Sequence, residues 1–315
     1  MTASVPVAAV VGPTATGKTR LAVELALRFG GEVISADSMQ IYRGLSIGTA
    51  KPTPEEMRGV PHYLIDCLDP SQPFSVADYV RLASETVADV RKRGKLPIVA
   101  GGTGLYVSSL LGGLNFSPQG RDDDLRDRLR EKAEREGPQA LWKELRAFDP
   151  ESASRIHPNN VGRVIRAIEV YQVTGVTMTE QLRRSREVPA PYDAAIVGLA
   201  YRDRAKLYEA IDRRVDRMMC AGLPEEARIV FAMEHPGTAA QAIGYKEFFP
   251  YFRGECTLKE SVETVKRESR RYAKRQLTWF RRADQIEWLF IDEFDGLQPL
   301  VSRACEIIRR KEWNL

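Results

Sequence analysis

The sequence predicts an α/β protein, a doubly wound parallel sheet interrupted by a helical insertion domain. First, the apolar run Val5–Val11 leads into Gly12-Pro13-Thr14-Ala15-Thr16-Gly17-Lys18-Thr19, which fits G-x-x-x-x-G-K-[ST] where a strand hands over to a helix. The sheet is therefore of the P-loop kind. Second, strand and helix patterns alternate through the N-terminal third, as parallel crossovers require. Third, the chain from Asp122 to about Arg184 is charged and helical in period, after which a strand pattern returns.

Taken in order, Val5–Val11 is β-branched and alanine-rich and reads as the first strand. Thr19–Phe29 has a helical apolar period and stops at Gly30-Gly31, a left-handed cap signal. Val33–Ala36 is the second strand and ends at Asp37; Tyr63–Cys67 reads as the third. Ser75 caps an amphipathic helix through Arg93. Leu96–Ala100 is a fourth strand that runs into Gly101-Gly102-Thr103-Gly104 and a helix from Leu105. Four helices are predicted in the insertion, at Asp122–Glu136, Pro138–Phe148, Asn160–Thr174 and Thr177–Arg184. Leu114-Asn115-Phe116-Ser117-Pro118 and Val188-Pro189-Ala190-Pro191 read as its joints. A strand follows at Ala194–Ala200, then helices at Asp203–Ala221, within Pro224–Arg253 and at Thr257–Arg282, a strand at Ile286–Ile291 and a closing helix. The core domain is thus expected at 1–115 and 194–315, and the insertion at 116–193.

The chain of 315 residues, 43% hydrophobic and 29% charged, has the composition of a soluble globular protein and enough length for a large core. No apolar run approaches a membrane span and the start lacks a signal-peptide pattern, so a cytoplasmic protein with no membrane partner is expected. Cys67, Cys220, Cys256 and Cys305 are scattered singly and read as small core residues; His62, His157 and His235 are equally dispersed. The net charge of +4 is unevenly placed. Between Lys259 and Arg282 nine basic residues face three acidic ones, with Tyr272, Trp279 and Phe280 interleaved. A solvated helix face and a polyanion contact both fit this run.

The chemistry gathers on one rim. In a doubly wound sheet ligands collect at the carboxyl ends of the strands, where the P-loop, Asp37 and the Gly101–Gly104 turn all fall. The loop N–H groups and the helix dipole favour an anion, Lys18 adds charge for the terminal phosphate, and Thr19 offers a hydroxyl to Mg²⁺. The loop does not reveal which phosphate compound it holds. A triphosphatase would place a metal-linked Asp after a hydrophobic strand, and Asp66 fits that position. Asp37, followed by Ser38, Gln40, Tyr42 and Arg43, fits a general base or metal partner equally well, or simply a loop cap.

In combination these segments are more specific. The P-loop Gly12–Thr19, Asp37-Ser38-Met39-Gln40-Ile41-Tyr42-Arg43-Gly44, Gly48-Thr49-Ala50-Lys51-Pro52 and Gly101-Gly102-Thr103-Gly104-Leu105-Tyr106 resemble, in order and spacing, the bacterial tRNA dimethylallyltransferases, or tRNA isopentenyltransferases. The resemblance continues through His157-Pro158-Asn159, Arg163 with Arg166, Arg214-Val215-Asp216, Ala242-Ile243-Gly244-Tyr245-Lys246-Glu247 and Ala273-Lys274-Arg275-Gln276-Leu277-Thr278-Trp279-Phe280-Arg281, covering nearly the whole chain.

It implies transfer of the dimethylallyl group from dimethylallyl diphosphate to the exocyclic amine of the adenosine 3′ of the anticodon, with release of diphosphate. Gly12, Pro13, Thr14, Ala15, Thr16, Gly17, Lys18 and Thr19 would hold the diphosphate, with Mg²⁺ at Thr19. Asp37 would act as general base, Thr103 would stand at the transfer centre, and Arg214 would bind the diphosphate. Asp37, Ser38, Met39, Gln40 and Thr103 would meet the extruded base; Arg126, Arg163, Arg166, Tyr245, Lys246, Arg270 and Lys274 would hold the anticodon stem-loop of a tRNA bound to a monomer. The chain departs from the family pattern at Gly162, where Gln is frequent, and at Ser46, where Asp is frequent. The sequence also admits two other readings: a P-loop kinase, which would form ADP, and a non-catalytic RNA-binding protein indifferent to loss of Asp37.

Overall fold

The structure is a computed structural model that describes residues 4–113, 122–187, 189–234 and 237–313. Among these the chain forms two compact units, one made of 1–111 and 192–315 and one of 112–191. The expected joint at Leu114–Pro118, Val188 and His235 lie outside the described residues.

The first unit is a six-stranded, all-parallel sheet. In chain order its strands are β1 (Val5–Val11), β2 (Gly31–Ser35), β3 (His62–Tyr63), β4 (Leu96–Gly101), β5 (Tyr192–Ala200) and β6 (Ile286–Phe290), arranged β3-β2-β4-β1-β5-β6. β1 lies between β4 and β5, with Val11 in register with Gly101 on one side and Gly198 on the other. Every crossover passes through helices, which cover both faces. Along β1 the side chains alternate accordingly: Val7, Ala9 and Val11 enter one apolar core, Ala8 and Val10 the other.

The helices begin with α1 (Lys18–Phe29), a short α2 (Pro54–Met57), α3 (Val76–Lys92) and α4 (Gly104–Leu111). The helical unit follows with α5 (Asp123–Glu136), α6 (Pro138–Phe148), α7 (Pro150–Arg155), α8 (Val161–Thr174) and α9 (Met178–Glu187); back in the first unit come α10 (Arg204–Cys220), α11 (Leu223–Ala232), the short α12 (Phe249–Phe252), α13 (Leu258–Phe280) and α14 (Leu297–Arg309). Ser75 closes a capping box with Asp78 on α3, and Thr257 does the same with Glu260 on the 23-residue α13. No helix among the described residues is long and apolar enough to cross a membrane.

Three expectations change. The third strand is only two residues long, because Leu64 (φ 61) and Asp66 (φ 55) turn left-handed and break the extended run. The segment then bonds to the loop after β2 instead, Cys67 N–H donating to the Ile41 carbonyl at 2.8 Å. The insertion contains α7 in addition to the four expected helices, announced by Asp149-Pro150: the Asp149 carboxylate caps Ser152 N–H at 3.0 Å and Pro150 occupies the first turn. Of the cysteines only Cys305 is buried; Cys67 and Cys220 are exposed.

The helical unit has its own core, built from Leu125, Leu129, Leu141, Leu145, Val164 and Ile168. Beside it Glu169, fully buried, accepts from Arg126, Arg166 and the Asp122 N–H. Burial opposes the charge on Glu169, but these donors outweigh it and hold the carboxyl below its ordinary range. Its contribution to stability is therefore present above the ordinary carboxyl pKa and lost as the pH falls through the lowered value. Glu169→Gln is expected to destabilise the helical unit by about 2 kcal/mol, less than for a fully buried pair because both arginines keep solvent contact. Faster amide exchange confined to α5 and α8 in the full-length chain checks this.

Candidate active site

The P-loop needs its glycine at position 12. A Cβ there would lie 2.3 Å from the Leu199 carbonyl oxygen, and its φ of 139° is a region that side chains avoid. Ala15 is held left-handed (φ 65), local strain of the kind that clusters in ligand loops. Lys18 Nζ donates to the Pro13 carbonyl at 2.7 Å and Thr16 Oγ1 donates to the same oxygen at 2.9 Å, so the loop closes on itself. Thr14 N–H points elsewhere: it donates at 2.9 Å to Oε1 of Gln276 on α13, whose Nε2 donates at 2.9 Å to the Gly102 carbonyl. One buried amide thus joins the P-loop to the turn after β4.

That turn meets the end of β2. Gly101 lies so close to Ala36 that a Cβ would come within 2.2 Å of its carbonyl oxygen, and Thr103 N–H donates to that oxygen at 3.1 Å. Thr103 Oγ1 in turn accepts from Ser38 N–H at 3.1 Å, beside Asp37. Asp37 Oδ1 accepts from Met39 N–H at 2.9 Å, the loop-cap geometry, while Oδ2 accepts from no described residue. The cap and the catalytic reading of Asp37 are therefore compatible, one oxygen serving each. Gln40 is committed to its own surroundings, its amide donating to the Thr49 and Ala50 carbonyls and accepting from Ser35. The neighbouring loop is fixed by buried Glu226 of α11, which accepts from the N–H groups of Ser46 (2.7 Å), Ile47 (2.9 Å) and Gly48 (2.8 Å) and from the Tyr245 hydroxyl (2.8 Å).

These elements enclose a cavity of about 280 Å³. Thr14, Lys18, Thr19, Asp37, Arg214 and Gln276 line it with polar groups; Met39, Ile211, Val215, Met218, Ile243 and Val265 supply apolar surface. Burial pushes Lys18 down to about 7, helped by the Arg214 charge and opposed by Asp37. Burial also lowers Arg214, against the attraction of Asp37. Tyr272 is pushed up to about 12, by burial and then by Asp37. Arg214 thus disfavours the charge on Lys18, an effect that an anion beside both would oppose. No cluster of His, Cys, Asp or Glu that could hold a metal unaided occurs among the described residues. Thr19 and Asp37 in the cavity fit a phosphate-borne magnesium, which takes only one or two protein oxygens. Asp66, the alternative metal residue, is absent from the cavity lining and is paired with buried Lys51.

The residues expected to meet RNA fare unequally. Ser38, Met39, Gln40 and Lys246 line the cavity. Tyr245 is corrected: it is fully buried, its ring against Gly48 and its hydroxyl on Glu226, so it has no surface to offer RNA. Arg126 and Arg166 are engaged by Glu169, and Arg270 donates to both oxygens of Asp212 at 2.6 and 2.7 Å. Arg163 is exposed on the first turn of α8, next to Gly162, where a side chain would meet open space. Lys274 is exposed and forms no ion pair among the described residues. Ser46 acts through its backbone N–H, so its side chain is not what holds the loop. Gln276 and Glu226 are the residues that motif reading passes over as actors. The signal for Gln276 is positional, since Val265, Ser269, Tyr272 and Gln276 form one helical stripe that lines the cavity.

Fold and site together define a P-loop α/β protein with a strand-end carboxylate in the same cavity. A family profile described as IPP transferase matches residues 40–283. A tRNA dimethylallyltransferase of Caldanaerobacter subterraneus is 45% identical over 98% of this chain and 99% of its own length. The crystal structure of a tRNA isopentenylpyrophosphate transferase from Bacillus halodurans superimposes with a TM-score of 0.72 at 44% identity, covering 98% of both chains. That of a eukaryotic dimethylallyltransferase acting on tRNA gives 0.84 at 27% identity, covering 99% of this chain and 81% of the other. The chain belongs to the IPP transferase family, the tRNA dimethylallyltransferases, and is a transferase of tRNA modification.

Two outcomes are expected from the geometry. Below pH 7 Lys18 of the free enzyme is already charged; above it, an anion that binds must bring a proton with it. Diphosphate binding should therefore show a component of proton uptake at pH 8 that is absent at pH 6 and absent from Lys18→Met, read by calorimetry in buffers of different ionisation enthalpy. Gln276→Leu leaves Thr14 N–H without its acceptor, at a cost of about 1–3 kcal/mol for a buried donor. It is expected to lower kcat/KM for the phosphorylated substrate about tenfold while RNA affinity is unchanged, as steady-state kinetics and RNA titration would show.

Proposed function

We propose that the enzyme transfers the dimethylallyl group of dimethylallyl diphosphate to the exocyclic N6 amine of the adenosine 3′-adjacent to the anticodon, releasing diphosphate. One observation supports this above others: a single cavity joins a two-cation phosphate site, Lys18 and Arg214, to apolar surface from Met39, Ile211, Val215, Met218, Ile243 and Val265. A diphosphate with a short hydrocarbon tail needs both. Its charged end sits on the P-loop N–H groups and the two cations, and its tail on the apolar surface.

The allylic carbon–oxygen bond breaks with its electron pair on the diphosphate, where Lys18 and Arg214 meet the developing charge. The adenine nitrogen forms the new bond to that carbon, and its proton passes to Oδ2 of Asp37, the oxygen that Met39 N–H does not occupy. Thr103, fixed by Ser38 N–H, stands beside this proton transfer. Magnesium, held by the Thr19 hydroxyl and the phosphates, would supply further charge neutralisation to the leaving group. A stacked adenine cannot reach such a cavity, so the base is turned out of the loop to enter it. Lys246 and Lys274 in the first unit and Arg163 in the helical unit are the exposed cations of the predicted set that remain for RNA phosphates.

Incubation with labelled dimethylallyl diphosphate, Mg²⁺ and unmodified tRNA is expected to place label in an adenosine-derived nucleoside. ADP formed from ATP with a phosphorylated acceptor, and no labelled nucleoside, would replace this reading with that of a kinase. Asp37→Asn is expected to lower the single-turnover rate by on the order of 10² with tRNA binding retained; an unchanged rate removes Asp37 as the base.

A further inference from the structure

The basic helix α13 is divided by its ion pairs. Through Arg271, Lys266 pairs with Asp216, Arg270 with Asp212, and Arg267 and Arg271 with Glu268, while exposed Lys259 alone has no carboxylate partner among the described residues. Further on, Lys274 and Arg275 and, just beyond the helix, Arg281 and Arg282 are exposed and have no carboxylate partner among the described residues. The free positive charge is thus concentrated at the C-terminal end. In its midst is Trp279, a large apolar side chain left 38% exposed.

Trp279 continues the cavity-lining stripe. Tyr272, Arg275 and Gln276 line the cavity, and Trp279 follows Gln276 by three residues and Arg275 by four, on the same helix face. Its five-membered ring is seated on Gly104, where a Cβ would come within 2.3 Å of Cδ1, so the indole abuts the residue next to Thr103. Leu105, the following residue, is 40% exposed as well. An exposed indole and leucine beside the transfer turn, among four unpaired cations, do not suit a solvated face. They suit a single-stranded nucleic acid, whose phosphates meet the cations and whose unpaired bases offer a π-face.

We propose that Trp279 is a stacking platform for a base adjacent to the extruded adenosine, bounded by Lys274, Arg275, Arg281 and Arg282. This rests on the reading of the enzyme as one that acts on RNA. The platform holds the neighbouring nucleotide at the rim of the cavity, so that the vacated stack is replaced by indole while the target base is inside.

The test titrates the full-length enzyme with an unmodified anticodon stem-loop at several salt concentrations, for Trp279→Ala, Trp279→Phe, Trp279→Leu and the triple variant Lys274→Ala, Arg281→Ala, Arg282→Ala. Trp279→Ala and Trp279→Leu are expected to weaken RNA binding by about tenfold or more with an unchanged salt slope, and Trp279→Phe to stay within about threefold of the parent. The triple variant is expected to flatten the log–log salt slope by about 2. Trp279→Leu keeps apolar packing on Gly104, and diphosphate affinity at the parent level shows that the fold is retained. Parent-like RNA affinity in Trp279→Ala or Trp279→Leu overturns the proposal, as does an equal loss in Trp279→Phe. A parent enzyme that transfers label to tRNA while Trp279 proves indifferent leaves the function standing and removes only the platform.

Discussion

Two contacts in which only backbone fits bring the cavity rim together. Gly12 lies against the Leu199 carbonyl and Gly101 against the Ala36 carbonyl, each too close for a side chain. The first brings the start of the P-loop against β5; the second brings the turn after β4 against the end of β2. Because β1 is flanked by β4 and β5, both approaches occur beside the strand that feeds the P-loop. Lys18 and Asp37, which belong to separate crossovers, consequently line one cavity, with Thr103 bonded behind Asp37 through Ser38 N–H. A methyl group at either glycine would open the rim before any chemical group were altered.

Much of this was legible in the sequence. The strand that feeds the P-loop, the helix caps and the interruption of the sheet all follow from local pattern, because local sterics and apolar period decide them. The third strand misled, since Tyr63–Cys67 is a short apolar run broken only by Asp66, while Leu64 and Asp66 adopt a left-handed backbone that tertiary bonding to the Gln40–Arg43 loop sustains. Asp37 and the P-loop were visible as motif residues, and Arg214 through its resemblance to a family arginine. Gln276 and Glu226 were not assigned roles, because their importance lies in what they bond across 262 and about 180 residues of chain.

Charge was the least legible property. Counting cations on α13 identifies a basic helix, but the count cannot tell which cations are free. Arg270 looks available in sequence and is held by Asp212; Arg126 and Arg166 look available and are held by Glu169. The partners lie on other elements, so neutralisation is decided by packing. What remains unpaired is a smaller and more localised set, displaced toward the end of the helix nearest the transfer turn.

The Glu226 clamp has a further consequence. Three consecutive N–H groups, from Ser46, Ile47 and Gly48, converge on one carboxylate, the first two on Oε2 and the third on Oε1, as in an anion nest. The protein fills it with a carboxylate of its own, tethered on α11 and also bonded by Tyr245. Of the two backbone nests in this unit, the P-loop is therefore the one left for a ligand, because the other is filled by the protein's own carboxylate.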